Sequence, residues 1–259
     1  MFKSLQGKTC VVTGAARSIG LAIAERYCYD KAKVAMIDIN PDVVKEANRL
    51  ADQGYSVKGY ILDITNRDDV LSCFKQIEND FGPIYALVNN AGIVDQRPFE
   101  EITAEQINKQ MAVNVNGALF CSQGAVKSMK AQKGGKIINF SSKSGKTGSA
   151  LMAHYSAAKG AIIALTHALA FELAPYNINV NCVCPGITDS TGVWSEVSSG
   201  YTNNLKLSRE EVIKKFTAKI PLGRLTAIDD VVDYVYFLTA SGDYCTGQAL
   251  NISGGREVH

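Results

Sequence analysis

The chain has 259 residues, 46% of them hydrophobic and 20% charged, so it can bury a full hydrophobic core. Its net charge is only +2 and its basic residues are scattered, which argues against nucleic acid as a partner. No stretch reaches the roughly 18 consecutive apolar residues of a membrane span, and no apolar leader follows Met1, so we expect a cytoplasmic protein with no membrane contact.

The cysteines indicate reduced, buried thiols rather than disulfides or a metal site. Their number is odd, and they lie mostly inside apolar runs: Cys10, Cys28, Cys73, Cys121, Cys182, Cys184 and Cys245. The chain has only three histidines to complete a ligand set, so we expect no structural metal.

The first elements along the chain are typical of a dinucleotide-binding unit. Residues 8–12 read as a strand that ends in Thr13-Gly14-Ala15-Ala16-Arg17-Ser18-Ile19-Gly20, and a helical pattern follows. Gly14 allows a sharp turn and Gly20 lets the helix approach the strand, so free backbone amides can face a pyrophosphate. The second strand, residues 33–37, ends in Asp38, which can accept hydrogen bonds from an adenosine ribose. The alternative is an ordinary tight turn.

Strands and helices then alternate along the whole chain. Further strands are predicted at residues 56–62, 84–88, 137–140, 178–183 and 249–252, and helices at about 103–130, 155–174 and 229–239 among others. This order predicts a single α/β domain, 1–259, with a doubly wound parallel sheet (Rossmann fold) and helices on both faces. Residues 187–220 lose the pattern, which indicates a substrate lid or, alternatively, a surface excursion.

A candidate proton-transfer site lies between residues 139 and 159. The strand delivers Ser141 and Ser142, and a glycine-broken loop leads to an alanine-rich helix that carries Tyr155 and Lys159. Four residues apart, these two side chains share one helix face. An ammonium about 5 to 6 Å from the phenol would favour phenolate by roughly 3 kcal/mol, about two pKa units. Ser142 could meet the phenol at one substrate oxygen. Alone, the pair could also be part of an ordinary amphipathic helix face.

Taken together, the motifs resemble the short-chain dehydrogenase/reductase family over residues 7–255. The residues that carry the resemblance are Thr13-Gly14-x-x-x-Ser18-Ile19-Gly20, Asp63, Asn89-Asn90-Ala91-Gly92, Asn114, Ser142, Tyr155-x-x-x-Lys159, Pro185-Gly186 and Thr246-Gly247-Gln248. The lid and Pro221-Leu222-Gly223-Arg224 are most similar to those of relatives that oxidise small diols, acetoin or sugar alcohols.

The resemblance implies a role for each catalytic residue. Tyr155 would be the general acid/base, Ser142 would polarise the reacting oxygen, and Lys159 would lower the pKa of Tyr155 and hold the nicotinamide ribose. Asn114 would anchor a water relay to Lys159. The implied cofactor-binding residues are Gly14, Arg17, Ser18, Ile19, Gly20, Asp38, Asp63, Ile64, Asn90, Ala91, Gly92, Tyr155, Lys159, Pro185, Gly186, Ile187 and Thr188. Asp63 would hold the adenine, and Ile187 and Thr188 would contact the carboxamide.

Two positions depart from the family pattern. Ser18 stands where a second glycine is usual, and its side chain would either crowd the pyrophosphate or cap the following helix. Ser253 stands where an aspartate is common before Gly254 and Gly255, and the sequence suggests no function for it.

The expected cofactor is NAD. Asp38 would face the 2′-phosphate of NADP with like charge, and the next residue is Ile39, which offers no cation. Arg17 points the other way, because family members that use NADP often carry a basic residue in the glycine turn.

The expected reaction is therefore NAD(H)-dependent interconversion of a secondary alcohol and a ketone, with Tyr155 as acid/base. The first-choice substrate is a small neutral polyol, diol or sugar alcohol, and the second an anionic hydroxy acid or a 3-oxoacyl thioester. The candidate pocket residues are Ser142, Lys143, Ser149, Tyr155, Val94, Asp95, Gln96 and Trp194. Lys143 would favour an anion if it points inward, and it would contribute nothing from a solvated loop.

Two further expectations concern alternatives and assembly. A catalytically silent NAD-binding regulator is the alternative of another class, but it would not need a complete set of Asn114, Ser142, Tyr155 and Lys159. The helix that carries Tyr155 is apolar or small on nearly every side, which predicts a homo-oligomer, by resemblance a tetramer.

Overall fold

A seven-stranded parallel sheet forms the centre of the fold in a computed structural model that describes residues 3–189, 191, 202 and 208–258. The strands in this part of the chain are β1 (Thr9–Thr13), β2 (Lys33–Asp38), β3 (Val57–Ile61), β4 (Ile84–Asn89), β5 (Gly135–Phe140), β6 (Ile178–Pro185) and β7 (Ala249–Ile252). Their order is β3-β2-β1-β4-β5-β6-β7. The direction of winding reverses between β1 and β4, and ligands of such sheets bind where it does so.

Helices cover both faces of the sheet. The helices of the described residues are α1 (Ser18–Tyr29), α2 (Asp42–Ala51), α3 (Arg67–Phe81), α4 (Ala104–Met111), α5 (Gly117–Gln132), α6 (Lys143–Thr147), α7 (Ala153–Leu173), α8 (Arg209–Thr217) and α9 (Ile228–Ala240). Helices α1, α2 and α9 pack on one face, and α3, α5 and α7 on the other. The predicted doubly wound single domain is confirmed.

The central strands are apolar because both of their faces are covered. Every residue of β1 and β5 is buried, as expected of strands in the middle of a parallel sheet. At the carboxyl edge, where the loops leave the core, several strands end in polar residues or are followed by them. This arrangement brings Asp38, Asn89 and Ser142 to one side of the molecule.

Two predicted elements differ in detail from the structure. The single helix predicted at 103–130 is α4 and α5 joined by a π-helical turn, Ala112–Asn116. The predicted loop after Ser142 contains the short helix α6, whose N-terminus Ser142 caps by accepting a hydrogen bond from the Ser144 amide at 3.1 Å. A hydroxyl that satisfies a free amide at a helix start can support one turn of helix even in a glycine-containing segment.

Helix α7 and the residues that follow it, Ala153–Tyr176, form the one described segment long and apolar enough for a membrane span by length and composition. It carries the buried side chains of Tyr155 and Lys159 and packs against the sheet. The cytoplasmic location stays a prediction.

Candidate active site

A cavity of about 900 Å³ runs along the carboxyl ends of the strands. Its walls include all the residues that were predicted to bind the cofactor: Gly14, Arg17, Ser18, Ile19, Gly20, Asp38, Asp63, Ile64, Asn90, Ala91, Gly92, Tyr155, Lys159, Pro185, Gly186, Ile187 and Thr188. Ser142, Lys143 and Ser149 line it as well. We call the part near Asp38 and Asp63 the carboxylate end, and the part near Ser142 and Tyr155 the tyrosine end.

The turn after β1 has no room for side chains at its two glycines. Gly14 has a φ of +67°, and a β-carbon on it would lie 2.9 Å from Ala91 Cα. On Gly20 a β-carbon would lie 2.0 Å from Gly14 O. Asn90 Nδ2 fixes the turn from the neighbouring strand by donating to Thr13 O and Gly14 O at 3.0 and 3.1 Å. The start of α1 is therefore held close to the strand, as the motif predicts.

Ser18 adopts the conformation that glycine favours. Its φ is +55°, which lies in the left-handed region. It is the first residue of α1, Arg17 occupies the capping position, and no side chain caps this helix start. Of the two alternatives given for the Ser18 side chain, helix capping is therefore not the one that the structure shows.

Asp38 holds the glycine turn as well as facing the cavity. Its Oδ2 accepts a hydrogen bond from the Ala16 amide at 2.9 Å, and its Oδ1 accepts one from Asn40 N at 3.0 Å. Both oxygens are thereby oriented from the backbone. Ile39, the next residue, lines the cavity and is exposed, so no cation follows the carboxylate along the chain.

Asp63 lies at the same end, and its Oδ1 accepts hydrogen bonds from Thr65 N and Thr65 Oγ1 at 2.9 and 2.8 Å. The two acidic residues that line the cavity, among those described, are both at this end.

Tyr155 and Lys159 lie on the buried face of α7 at the opposite end. Lys159 Nζ is 5.8 Å from the centre of the Tyr155 ring. Nζ donates to Phe140 O at 2.8 Å, and Ser141 Oγ donates to Lys159 O at 2.7 Å. The end of β5 thus holds both the side chain and the backbone of this lysine. The Ser142 side chain lies within hydrogen-bonding reach of Tyr155.

The ionisation of this pair departs from the sequence expectation. Burial raises the pKa of Tyr155 to about 12, and the hydrogen bond with Ser142 opposes that rise only in part. Burial lowers the pKa of Lys159 to about 8. The predicted low pKa of Tyr155 is therefore wrong for the free enzyme, because desolvation of the buried phenolate outweighs the attraction of the ammonium.

Asn114 lies behind the cavity wall rather than on it. It is in the π-helical turn and is buried; its Oδ1 accepts a hydrogen bond from Ile93 N and its Nδ2 donates to Ile93 O, both at 2.9 Å. A β-carbon on Gly92 would lie 2.6 Å from Asn114 Oδ1 and 3.4 Å from Lys159 Nζ. Asn114 therefore fixes the backbone after β4 directly beside Lys159.

The predicted substrate residues divide into three groups. Ser142, Lys143, Ser149 and Tyr155 line the tyrosine end of the cavity. Val94, Asp95 and Gln96 do not line it, and the Gln96 amide is buried with no hydrogen-bond partner among the described residues. Trp194 and nearly half of the predicted lid, 187–220, lie outside the described residues.

The sequence reasoning missed two cations at the tyrosine end, Lys219 and Arg256. Lys219 lies at the end of the predicted lid, two residues before Pro221, and Arg256 directly follows Gly255. The glycine pair that precedes Arg256 was the available signal, because two adjacent glycines near the end of a strand indicate a tight change of direction.

These features fit a nicotinamide dinucleotide. The cavity begins at a glycine turn with no space for β-carbons, passes Asp38 and ends at Tyr155 and Lys159, so its wall supplies groups for a pyrophosphate, a ribose and a reacting centre. A parallel sheet with this turn and a Tyr-Lys pair beside a serine defines a class of dehydrogenases.

Comparison with known proteins agrees. The sequence profile of the family described as short chain dehydrogenase matches residues 8–202. The chain therefore belongs to the short-chain dehydrogenase/reductase family and is an oxidoreductase.

Its relatives include several enzymes of sugar alcohols and sugar acids. The chain is 37% identical to a sorbitol dehydrogenase of Cereibacter sphaeroides over 253 residues, 97% of this chain and 98% of that protein. The crystal structure of NAD⁺-bound xylitol dehydrogenase superposes with a TM-score of 0.93 at 31% identity, covering 98% of this chain and all of that one. A gluconate 5-dehydrogenase from Burkholderia cenocepacia J2315, in complex with NADP and tartrate, superposes with a TM-score of 0.89 at 27% identity over 98% and 96% of the chains.

Proposed function

We propose that this enzyme interconverts a secondary alcohol and a ketone on a small hydroxylated substrate of the polyol, diol or sugar-alcohol kind, with NAD as its cofactor. The observation that carries the proposal is one cavity that joins the glycine turn and Asp38 to the Tyr155, Lys159 and Ser142 group. The likeness to sorbitol and xylitol dehydrogenases supports the same substrate class.

Gly14, Gly20 and Asp38 would hold the adenosine and pyrophosphate part of the cofactor, and Lys159 the ribose near the reacting centre. The bound nicotinamide supplies the hydride acceptor for alcohol oxidation or the hydride donor for ketone reduction. The protein's own chemistry is the proton transfer at the substrate oxygen.

Tyr155 carries that proton. In ketone reduction the neutral phenol donates its proton to the oxygen, and in alcohol oxidation the phenolate accepts the hydroxyl proton. The attraction of Lys159 at about 6 Å, roughly 3 kcal/mol at an effective dielectric constant of about 20, is similar in size to a burial cost of about two pKa units. A charged Lys159 would thus oppose the rise in the pKa of Tyr155 that burial causes.

Ser142 assists by donating a hydrogen bond. Its hydroxyl lies at the carboxyl end of β5, on the cavity wall and within reach of Tyr155, so both can contact the same substrate oxygen. Asn114 acts one step away, because it fixes the Gly92–Ile93 backbone beside Lys159.

Two observations support NAD over NADP. Asp38 presents a fixed carboxylate where a 2′-phosphate would lie, and Ile39 beside it is uncharged. The solved relatives include one with NAD⁺ and one with NADP, so the preference rests on these residues.

The experiment is Tyr155→Phe, assayed with sorbitol, xylitol, galactitol and butane-2,3-diol by absorbance of the reduced nicotinamide. We expect turnover to fall by at least a thousandfold while the dissociation constant for NAD⁺ stays within about threefold, because only the proton-transfer group is lost. Retention of more than about a tenth of the activity would show that Tyr155 is not the acid/base. NAD⁺ binding without turnover of any alcohol by the wild type would favour a silent regulator.

A further inference from the structure

Besides Lys159, the wall of the cavity at the tyrosine end carries three cations from separate segments of the chain. They are Lys143 at the start of α6, Lys219 after α8, and Arg256 after β7. The acidic residues that line the cavity, among those described, are Asp38 and Asp63 at the carboxylate end. Arg17, Lys109 and Lys159 also line the cavity, Arg17 in the glycine turn near Asp38. The tyrosine end is therefore the part of the wall where several cations lie with no acidic residue among the described lining residues.

The chain after β7 is built to bring Arg256 to this wall. Gly254 and Gly255 have φ values of +63° and +88°, which side chains disfavour. A β-carbon on Gly255 would lie 3.0 Å from Pro221 Cγ, so this turn packs directly on the segment that follows Lys219. Leu222 N donates to Gly254 O at 3.1 Å and joins the two segments.

Ser253, which had no function in the sequence analysis, fixes the same turn. It is buried, and its Oγ accepts a hydrogen bond from Glu257 N at 3.1 Å. This bond closes the turn around Arg256. The backbone position from which the Arg256 side chain extends is thus fixed.

The side chains of Arg256 and Lys143 are both largely withdrawn from solvent. The Arg256 side chain is 16% exposed, its Nε lies 3.4 Å from Glu257 Oε1, and its guanidinium lies 5.4 Å from the Phe216 ring. Lys143 is half-buried, and its Nζ makes one long hydrogen bond, 3.4 Å to Gly148 O. Among the described residues, Glu257 is the carboxylate that opposes these charges.

This arrangement has a cost that an anionic ligand would remove. Burial lowers the pKa of Lys143, and the neighbouring charges of Arg256 and Lys219 lower it further against the opposing effect of Glu257. Cations that repel one another in a partly desolvated pocket are stabilised when an anion binds between them. A guanidinium also offers paired donors that match a carboxylate, sulfonate or phosphate.

We propose that the preferred substrate carries an anionic group, held by Lys143 and Arg256 with Lys219 at the entrance, while its secondary alcohol lies at Tyr155 and Ser142. This inference rests on the proposed function and narrows its substrate class from neutral polyols to small hydroxylated acids. An anionic hydroxy acid was the second-choice substrate of the sequence analysis, and it was the choice that required Lys143 to point inward.

The test compares acids with the neutral alcohols of the same carbon chain. Threonate and threitol, and gluconate and sorbitol, are titrated calorimetrically into the NAD⁺ complex, and the same pairs are assayed for turnover. Erythrose 4-phosphate reduced to its alditol phosphate, and a hydroxypropyl sulfonate, distinguish phosphate and sulfonate from carboxylate.

The variants are Lys143→Ala, Arg256→Ala, Arg256→Lys and, as control, Lys215→Ala. Lys215 is an exposed lysine on α8 that does not line the cavity, so its variant removes the same charge from the same region.

We expect at least one acid to bind the wild type at least tenfold more tightly than its neutral partner. Lys143→Ala and Arg256→Ala should each raise the dissociation constant of that acid by about tenfold or more, because a charge-assisted hydrogen bond is lost. The dissociation constant of the neutral alcohol should change by no more than about twofold. Arg256→Lys should recover part of the loss, and Lys215→Ala should cause none. Unchanged affinity for NAD⁺ in every variant shows that folding and cofactor binding are intact.

Two results would overturn the inference. One is equal binding of acids and neutral alcohols by the wild type. The other is equal weakening of both partners in Lys143→Ala and Arg256→Ala. If neutral polyols are turned over and either of these results is found, the proposed function stands and only the inference about the anionic group fails. If an acid binds but none of the tested acids or alcohols is turned over, only the proposed function fails.

Discussion

Gly92 and Asn114 lie so close that Asn114 Oδ1 is 2.6 Å from the point where a β-carbon on Gly92 would sit. Lys159 Nζ is 3.4 Å from the same point. The backbone after β4 can therefore pass between the asparagine and the lysine only as glycine.

Gly92→Ala should displace Asn114 or Lys159 and lower kcat/KM by at least tenfold. The expected loss corresponds to about 1.4 kcal/mol, the cost of a displacement that disturbs one oriented hydrogen bond. Gly160→Ala is the matched control, because the nearest atom to a β-carbon there is Gly145 O at an ordinary 3.5 Å. Steady-state kinetics with the alcohol that the wild type turns over best give kcat/KM for both variants. Equal kcat/KM for the two would show that the space beside Gly92 does not limit activity.

The buried ammonium of Lys159 predicts a dependence of stability on pH. The folded-state pKa is lowered to about 8, so between about pH 8 and the usual lysine pKa of 10.5 the unfolded chain binds more protons than the folded one. The folded state thus gains stability as pH rises through this window. Urea unfolding of the wild type and of Lys159→Met, at one protein concentration, measures this.

The wild type should gain about 2 kcal/mol relative to Lys159→Met between pH 7.5 and pH 9.5. The hydrogen bond to Phe140 O that methionine cannot make adds an offset, but that offset does not change with pH. If the free energy of unfolding changed with pH in the same way for both proteins, the pKa of Lys159 would not be lowered by folding.

The charge of Asp38 predicts the cofactor preference. A carboxylate about 5 Å from the charge of a 2′-phosphate would repel it by roughly 3 kcal/mol at an effective dielectric constant of about 20, which is about a hundredfold or more in affinity. Catalytic efficiency with NAD should therefore exceed that with NADP at least tenfold. Asp38→Asn should narrow the ratio, since its amide oxygen can still accept from Ala16 N while the charge is gone. Equal efficiency of the wild type with both cofactors would refute the assignment.

The left-handed conformation of Ser18 predicts how substitutions there affect stability. A non-glycine residue in this region is strained by roughly 1 to 2 kcal/mol. Glycine avoids the strain, but it makes the unfolded chain more flexible, and this favours unfolding by a somewhat smaller free energy. Ser18→Gly should raise the free energy of unfolding slightly, by less than about 1 kcal/mol. Ser18→Val should lower it by more than about 1 kcal/mol, because β-branched residues tolerate positive φ poorly. Thermal and urea unfolding measure these changes. If Ser18→Val were more stable than Ser18→Gly, the turn would have relaxed to a conformation with negative φ.

The apolar surface of α7 predicts an oligomer, for which we propose a tetramer. Phe171 on this helix is 85% exposed in the single chain. Light scattering at micromolar concentration should give a multiple of the 27.9 kDa subunit mass. Phe171→Asp should reduce that mass, because a charge would replace apolar contact, whereas Ile61→Asp at the β3 edge serves as the control. A monomeric wild type would contradict the prediction.

The parts of the site that sequence reasoning identified depend on local spacing. The Gly14–Gly20 turn, Asp38 at a strand end, and the four-residue interval between Tyr155 and Lys159 each follow from one element and its neighbour. The fold followed for the same reason, because alternating apolar runs determine a doubly wound sheet.

The remaining features depend on contacts between distant segments. The π-helical turn at Asn114 is tied to its bonds with Ile93, and neither residue signals the other in the chain. Arg256 and Lys219 reach the cavity only because the turn at Gly254 and Gly255 packs on Pro221. The pKa of Tyr155 depends on burial, which spacing does not express.

Asp38 both faces the cofactor cavity and accepts a hydrogen bond from the glycine turn, and this limits how the enzyme could change its coenzyme. One of its oxygens is a structural acceptor for the Ala16 amide, so a substitution that simply removes the side chain would loosen the glycine turn together with the charge. Redesign toward NADP, or natural drift toward it, would therefore need a neutral acceptor of the same length at this position before any new cation could be useful. The order of the mutational steps is thus constrained by a single backbone hydrogen bond.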